Sequence, residues 1–392
     1  MLWVCLVAST LIWIRRPGDF AGYLTVGELA LAGRHIYHDA PPSMNTWPPF
    51  FSLWCVPLAL LARPTPYLAR GCWLILNFAL LRLIFKLLAQ MVYKHHSSLT
   101  LASPELLLPL VVCARFVLSN FDHLQVNIVI FALTLSGVYW LTRDRPWTAG
   151  VLIGVAAALK VMPLVFVPYF AYRRRFKTAA AVTITTALCS LAPILVYGPT
   201  RFVDYMHAWR ESVARGWGVG KMNQSLYAMF DRSIGHGITL FHPEVQNHLP
   251  SSGDPSVLLA TAVVLGLIAG AALWLFRGEA VAASSACLQE YATVFTVSAI
   301  AGPVTWKAYL VVLLFPSMLL TREALDPTTT PERRQVSRWI LAAAFVFGGV
   351  AAPALVGNYW AGAAAMLSDS TWAALILLGS MLWLRATQPT TD

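Results

Sequence analysis

Apolar residues fill this chain in long runs that follow one another from end to end, with polar residues confined to short connecting stretches. A helix that crosses a bilayer needs about 20 apolar residues. Runs of that order predict spans at 72–92, 123–141, 178–197, 255–276, 339–356 and 370–385, the last somewhat short. Shorter runs lie at 1–14, 49–62 and 105–118. Two pairs, 148–159 with 161–172 and 291–302 with 306–320, read as short helices meeting at a break. Together these predict an all-α polytopic transmembrane helical bundle, one domain over residues 1–392, with roughly ten to thirteen membrane segments.

The polar stretches carry their own signals. Residues 17–48 mix acids, Tyr, Trp and Pro with Phe20, Leu24 and Leu31 at amphipathic spacing, which predicts an interfacial amphipathic helix loop after the first span. Residues 198–254 form the largest polar block, holding Asp204, Trp209, Arg210, Lys221, Asn223, Gln224, Asp231 and Arg232. That is more chemistry than a connector requires. Residues 321–338 read as a solvated cytoplasmic loop.

Basic residues orient the runs. Arg143 and Arg145 precede the first broken pair and Arg173, Arg174, Arg175 and Lys177 follow it, so both its ends read as cytoplasmic. Lys160 and Pro163 then lie at a turn within or across the membrane. Arg277 before the second pair and Arg322, Arg333, Arg334 and Arg338 after it place the Gly302-Pro303-Val304-Thr305-Trp306 break on the opposite side. Residues 198–254 share that non-cytoplasmic side, as does the loop after the first run if the amino terminus is cytoplasmic. Arg15 and Arg16 run against this rule, and parity between 63 and 142 requires one short run to be re-entrant.

Composition agrees with the pattern. At 58% hydrophobic and 12% charged residues, with a mean hydropathy of +0.63, the chain lacks the polar surface of a soluble protein. A net charge of +10 and 15 Trp suit cytoplasmic loops, phosphate headgroups and interfaces, and make nucleic-acid binding the poorer explanation of the basicity. Six cysteines fall in or beside apolar runs without Cys-x-x-Cys spacing, so no disulfide framework or metal site is signalled. His236, His242 and His248 lie six apart, which is not a zinc pattern. Walker, dinucleotide, Gly-x-Ser-x-Gly and His-Glu-x-x-His motifs do not occur.

The candidate chemistry lies at the edges of the runs. Asp19, in Gly18-Asp19-Phe20-Ala21-Gly22-Tyr23, is a carboxylate at the lipid–water boundary that could act as a general base or merely cap the helix that follows. Asn120-Phe121-Asp122-His123-Leu124-Gln125-Val126-Asn127 crowds polar groups where two runs meet. Gln125 and Asn127 suit either sugar hydroxyls or helix–helix hydrogen bonds. Lys160 follows a small-residue run with no acid in it and must find an anion, water or the headgroups. Asn223-Gln224-Ser225-Leu226 with Asp231-Arg232 offers amides and a guanidinium shaped for phosphate. Asn223-x-Ser225 also matches a glycosylation sequon.

Asp19-Phe20 with Tyr23, Gly33 and Tyr37, Trp47-Pro48-Pro49, Gln125-Val126-Asn127, Leu159-Lys160 with Pro163, Asn223-Gln224-Ser225-Leu226 with Arg232, and Pro303 with Trp306 occur in one order over most of the chain. In that set the chain resembles the family 87 glycosyltransferases, membrane enzymes of GT-C type that use polyprenyl-phosphate sugars. The resemblance implies an inverting transfer of a sugar such as mannose from a polyprenyl-phosphate carrier to a glycan or glycolipid hydroxyl at an inner membrane. Asp19 would be the base, and Arg232, Lys160, Arg210 and Lys307 would hold the donor phosphate. Tyr23, Gln125, Asn127, Asn223, Gln224, Trp306 and Tyr309 would contact sugar or acceptor. The implied partners are membrane lipids, the lipid-linked donor and the acceptor. No metal ligand set is implied, and assistance by a divalent ion stays open. After Trp306 this chain reads Lys307-Ala308-Tyr309, where the family often carries histidines. The rival readings are a lipid-linked glycan flippase, which also uses broken helices with intramembrane charges, and an inactive carrier-binding member.

Overall fold

The computed structural model describes residues 2–41, 45–93, 100, 102–214, 218–237, 249–278 and 281–387. Among them all regular structure is helical, and the chain falls into two compact units.

The first unit holds residues 1–84, 118–141 and 145–216. It contains α1 (Leu2–Arg15), α2 (Phe20–Leu31), α3 (Pro49–Ala62), most of α4 (Pro66–Val92) and the end of α5 (Pro104–Asp122). It continues with α6 (Asn127–Leu141), α7 (Pro146–Leu159), a 3₁₀ turn into α8 (Phe166–Tyr172), α9 (Phe176–Leu191), α10 (Pro193–Tyr197) and α11 (Pro199–Ala214). The second unit holds residues 85–117, 142–144 and 217–392. Its further elements are α12 (Leu226–Phe230), which runs into a π-turn over Asp231–Gly235, α13 (Pro255–Leu275) and α14 (Ser285–Ile300). A 3₁₀ stretch (Lys307–Leu313) then leads into α15 (Leu314–Leu325), followed by α16 (Pro331–Phe345), α17 (Pro353–Met366) and α18 (Asp369–Ala386).

Among the described residues five helical segments are long and apolar enough to cross a membrane: Pro66–Val92, Pro104–Asp122, Phe176–Tyr197, Pro255–Leu275 and Lys307–Leu325. A sixth candidate, Pro331–Val350 with Pro353–Met366, is bent by 85°. This is an all-α polytopic membrane protein.

Several boundaries differ from those read off hydropathy, each for a local reason. The run at 105–118 extends to a helix of 19 residues that ends at Asp122. The span expected from 123 begins only at Asn127, because a turn intervenes in which Leu124 takes a left-handed φ of +50°. The run 339–356 is broken where Pro353, which lacks a backbone N–H, starts a new helix. The Arg-rich stretch expected as loop through 338 is helical from Pro331, since Thr330 caps the N-terminus by accepting from the Arg333 N–H and Pro331 occupies the first turn. In the interfacial stretch, Phe20 and Leu24 are buried and Leu31 is exposed.

Helix packing in the first unit depends on small residues, as it must where lipid removes the hydrophobic drive between helices. A Cβ on Gly150 would lie 2.3 Å from the Ala181 Cβ, and one on Gly154 would lie 2.6 Å from the Thr185 Cβ. So α7 and α9 touch backbone to backbone. That contact fixes the end of α7, where Lys160 turns to extended geometry (φ −154°, ψ 120°) before Pro163 restarts the chain.

Candidate active site

In the first unit, Asp19 sits at the N-cap position of α2, yet its carboxylate makes no capping bond. The cap reading therefore fails. The Asp19 backbone N–H donates to the His123 carbonyl at 2.9 Å, and its Oδ2 accepts from Gln125 Nε2. Gln125 Oε1 accepts from Asn127 Nδ2 at 3.1 Å, and Asn127 Oδ1 accepts from Lys160 Nζ at 2.6 Å. Gln125 and Asn127 are buried, whereas Asp19 is half-buried, and its Oδ1 has no hydrogen-bond partner among the described residues. Burial raises the Asp19 pKa above the usual carboxylate value, opposed by the charge of His123, the Gln125 hydrogen bond and the charge of Lys160. The arrangement is a partly accessible carboxylate with one oxygen held and the other open to accept a proton. Lys160 is tied to this group rather than extended to the headgroups.

Close approach explains why glycine precedes the acid. Gly18 has φ +49°, and a Cβ there would lie 2.4 Å from the His123 carbonyl oxygen. Gly18→Ala should shift Asp19 off Gln125. A displacement of about 1 Å at a reacting group costs roughly 100-fold in rate. Turnover should fall by about that factor, while the left-handed backbone strain costs about 1–2 kcal/mol of stability, both read from kcat and the thermal midpoint.

Tyr23 is fully enclosed and packs edge-to-face on Trp47, Phe51, Trp73 and Phe20. Its expected contact with sugar gives way to a structural one, since no face of the ring reaches the surface. Arg210 is exposed on α11, where it joins Val203, Met206, His207, Trp209 and Val213 along a cavity of about 560 Å³. The helix is strapped to the segment between α2 and α3 by Trp209 Nε1 donating to the Thr46 carbonyl at 3.1 Å and by Tyr205 OH donating to the Arg34 carbonyl at 3.3 Å.

Among the described residues one cluster has metal-ligating composition: His35, His38 and Asp204. Its hydrogen bonds close without an ion. His35 Nδ1 accepts the backbone N–H groups of Tyr37 and His38 at 3.2 and 3.0 Å, so the ring proton sits on Nε2, which donates to Asp204 at 2.9 Å. Burial holds the His35 pKa below the usual histidine value, which favours that neutral form. His242 and His248 lie outside the described residues, and His236 Nε2 bonds the Pro250 carbonyl at 2.9 Å.

In the second unit the polar motif at 223–225 is a fastener. Asn223 Nδ2 donates to the Pro303 carbonyl at 3.0 Å, and its Oδ1 accepts the N–H groups of Ser225 and Thr305, each at 3.0 Å. The Gln224 N–H donates to the Thr305 carbonyl at 2.6 Å, and its side-chain amide donates to the Ala365 and Lys221 carbonyls at 2.8 and 2.9 Å. Both side chains are buried, so direct contact with sugar gives way to holding the Pro303–Trp306 break in place. Burial of Asn223 also leaves the sequon without an accessible amide.

Arg232 is likewise committed inward. Its Nε donates to the Met366 carbonyl at 3.0 Å, Nη1 to the carbonyls of Val219 (2.7 Å), Gly220 (3.2 Å) and Asn223 (2.7 Å), and Nη2 to Ser368 Oγ at 2.6 Å. Burial brings its pKa down to about 10, against the pull of Asp369 and Asp231, so it stays charged at neutral pH. The guanidinium expected to clamp a phosphate is turned inward and makes these five bonds to its own chain.

Beyond the break, Trp306, Lys307 and Tyr309 are only half-buried. Lys307 lies within electrostatic reach of Arg115, Asp369 and Lys221. Arg115 Nη1 pairs with the buried Asp369, and Arg115 Nη2 is buried with no partner among the described residues. Sequence reading missed this pair. Its signal was present as a lone Arg inside the apolar run 105–118, which is a functional-site hypothesis by default in a membrane.

Residues 45–299 match the family described as Glycosyltransferase family 87. The chain is 33% identical over 105 residues to a polyprenol-phosphate-mannose-dependent alpha-(1-2)-phosphatidylinositol mannoside mannosyltransferase of Mycolicibacterium smegmatis. It is 35% identical over 94 residues to the protein of the same description in Mycobacterium tuberculosis. It is 27% identical over 118 residues to a polyprenol-phosphate-mannose-dependent alpha-(1-2)-phosphatidylinositol pentamannoside mannosyltransferase of Mycobacterium tuberculosis. These matches span 27%, 24% and 30% of this chain and 22%, 19% and 27% of the relatives' own lengths.

Proposed function

Because this chain belongs to glycosyltransferase family 87, we propose that it transfers a hexose from a polyprenyl-phosphate carrier to a glycan or glycolipid hydroxyl, with Asp19 as general base. One observation carries the reading. A half-buried carboxylate is held through one oxygen by a buried amide while its other oxygen makes no hydrogen bond among the described residues. In the step, the acceptor oxygen attacks the anomeric carbon as its proton passes to Asp19 Oδ1. The bond from the anomeric carbon to the phosphate oxygen breaks, and polyprenyl phosphate leaves with the electron pair. The configuration inverts. A positioned base contributes about 100- to 10,000-fold. Since only the ionised carboxylate serves, activity is lost as pH falls through a pKa that burial has raised.

Mannose is the sugar favoured by the names of the relatives, and a lipid-anchored mannoside is the class of acceptor those names suggest. Within the second unit, Lys307 is the cation offered to a phosphate, with Lys221 adding positive charge near it, while Arg115 is paired with Asp369 and Arg232 makes five bonds to its own chain. Half-buried Trp306 and Tyr309 offer rings for a sugar face, and exposed Arg210 offers a guanidinium to lipid phosphate. The protein works in an inner membrane, with its chemistry at the non-cytoplasmic face.

The test is transfer of labelled sugar from a synthetic polyprenyl-phosphate mannose by purified protein in detergent or vesicles. Lys307→Gln should raise the donor KM by about 10- to 100-fold, as expected where one charge-assisted phosphate contact worth about 1.5–3 kcal/mol is lost. An unchanged donor KM would remove Lys307 from the phosphate site.

A further inference from the structure

The hydrogen bonds that link Lys160 to Asp19 all point one way. An ammonium can only donate, so Asn127 must present its carbonyl oxygen to Lys160 and its NH₂ to Gln125. Gln125, receiving that NH₂ on its own carbonyl, must then turn its NH₂ to Asp19. A carboxylate only accepts, which closes the sequence at the far end. Amide orientation is often ambiguous, but here the two charged ends permit a single polarity for both amides.

We propose that Lys160 is a positioning residue, acting through Asn127 and Gln125 to fix the Asp19 carboxylate as a hydrogen-bond acceptor with Oδ1 turned to the acceptor hydroxyl. This rests on the reading of Asp19 as base and gives Lys160, Gln125 and Asn127 work other than direct contact with phosphate or sugar. Without the ammonium, the buried Asn127 carbonyl loses this donor and only the Asp19 end still orders the two amides. An Asn127 amide that flips withdraws its donor from Gln125, and a Gln125 amide that turns in response presents a carbonyl to the carboxylate, which repels it. The amides are buried, at 3% and 4% exposure, so water cannot replace the lost bonds. The charged groups that act on Asp19 are His123, from the turn between α5 and α6, and Lys160, from the end of α7. The nearby Arg16 is engaged with Asp122. Removing the donor to Asp19 destabilises its ionised form, so its pKa must rise further.

The experiment is the pH dependence of kcat/KM for polyprenyl-phosphate mannose with the full-length protein, its variants Lys160→Met, Lys160→Arg, Asn127→Leu and Asn127→Asp, and Asp19→Asn as the control. Lys160→Met and Asn127→Leu should each move the acidic limb up by about one pH unit, the size of shift that loss of a hydrogen bond and a nearby charge produces. The donor KM should stay within about twofold, because no phosphate contact is touched. Lys160→Arg should keep the limb near that of the parent. Asn127→Asp still accepts from Lys160 but cannot donate to Gln125, so it should reproduce the shift at nearly unchanged volume, even where Asn127→Leu does not fold. An unmoved limb in Lys160→Met or in Asn127→Asp overturns the inference. A roughly tenfold rise in donor KM for Lys160→Met with the limb unmoved would make Lys160 a phosphate ligand instead. If Asp19→Asn is nearly inactive while those limbs stay put, the relay fails and the base stands. If Asp19→Asn turns over like the parent, both fail.

Discussion

Asp19→Asn is expected to lower kcat by about 100- to 10,000-fold, the range that a positioned general base contributes, while leaving the KM of donor and acceptor within a few-fold. The substitution keeps the shape of the side chain and its acceptor for Gln125, so the hydrogen-bonded chain from Lys160 can still end on the amide oxygen. What it removes is the second acceptor, Oδ1, which makes no hydrogen bond among the described residues and alone can receive the hydroxyl proton. An equal fall in kcat and kcat/KM is the signature of an interaction made only in the transition state. A rise in acceptor KM with kcat preserved would mean that Asp19 binds the acceptor rather than deprotonating it.

Arg232→Ala is the second large expected effect, and it falls on stability. Five hydrogen bonds from one buried guanidinium tie together Val219–Asn223, Met366 and Ser368. Removing it leaves buried carbonyl oxygens without donors, each at a cost of about 1–3 kcal/mol. It also takes one positive charge from beside Asp231 and Asp369, the latter keeping its pair with Arg115. A net loss of about 3–5 kcal/mol is expected, as for removal of one member of a buried charged network, and it should appear as a lower thermal midpoint in detergent. Residual turnover in the folded fraction should show an unchanged donor KM. The reverse outcome, an unchanged midpoint with a higher donor KM, would return Arg232 to the phosphate.

The contrast between Asp19 and Arg232 marks how far the sequence could be read. The polytopic helical fold is legible because apolar runs long enough to cross a bilayer leave the backbone no alternative to helix. The breaks at Lys160 and at Pro303–Trp306 are legible because each follows or contains a charge, Gly or Pro between apolar runs. Asp19 is legible by its place at the edge of a run. The use of Arg232 is not, because an arginine among polar residues looks the same whether it faces a ligand or five carbonyl and hydroxyl groups of its own chain. Asn223 and Gln224 are hidden for the same reason, since what they fasten lies some 80 residues away at Pro303 and Thr305. The start of α6 escaped because hydropathy cannot register the left-handed Leu124 that separates it from α5. Arg115 and Asp369, 254 residues apart, are a pair only in the folded chain.

The central claim is that Asp19 accepts a proton in a single displacement and never bonds to the sugar. The most direct measurement is the anomeric configuration of the product, read by NMR after transfer from a polyprenyl-phosphate mannose of known anomeric form by the purified protein. A product of opposite configuration to the donor is the expected result. A product that retains the donor's configuration would require an intermediate on the enzyme and would contradict Asp19 as base.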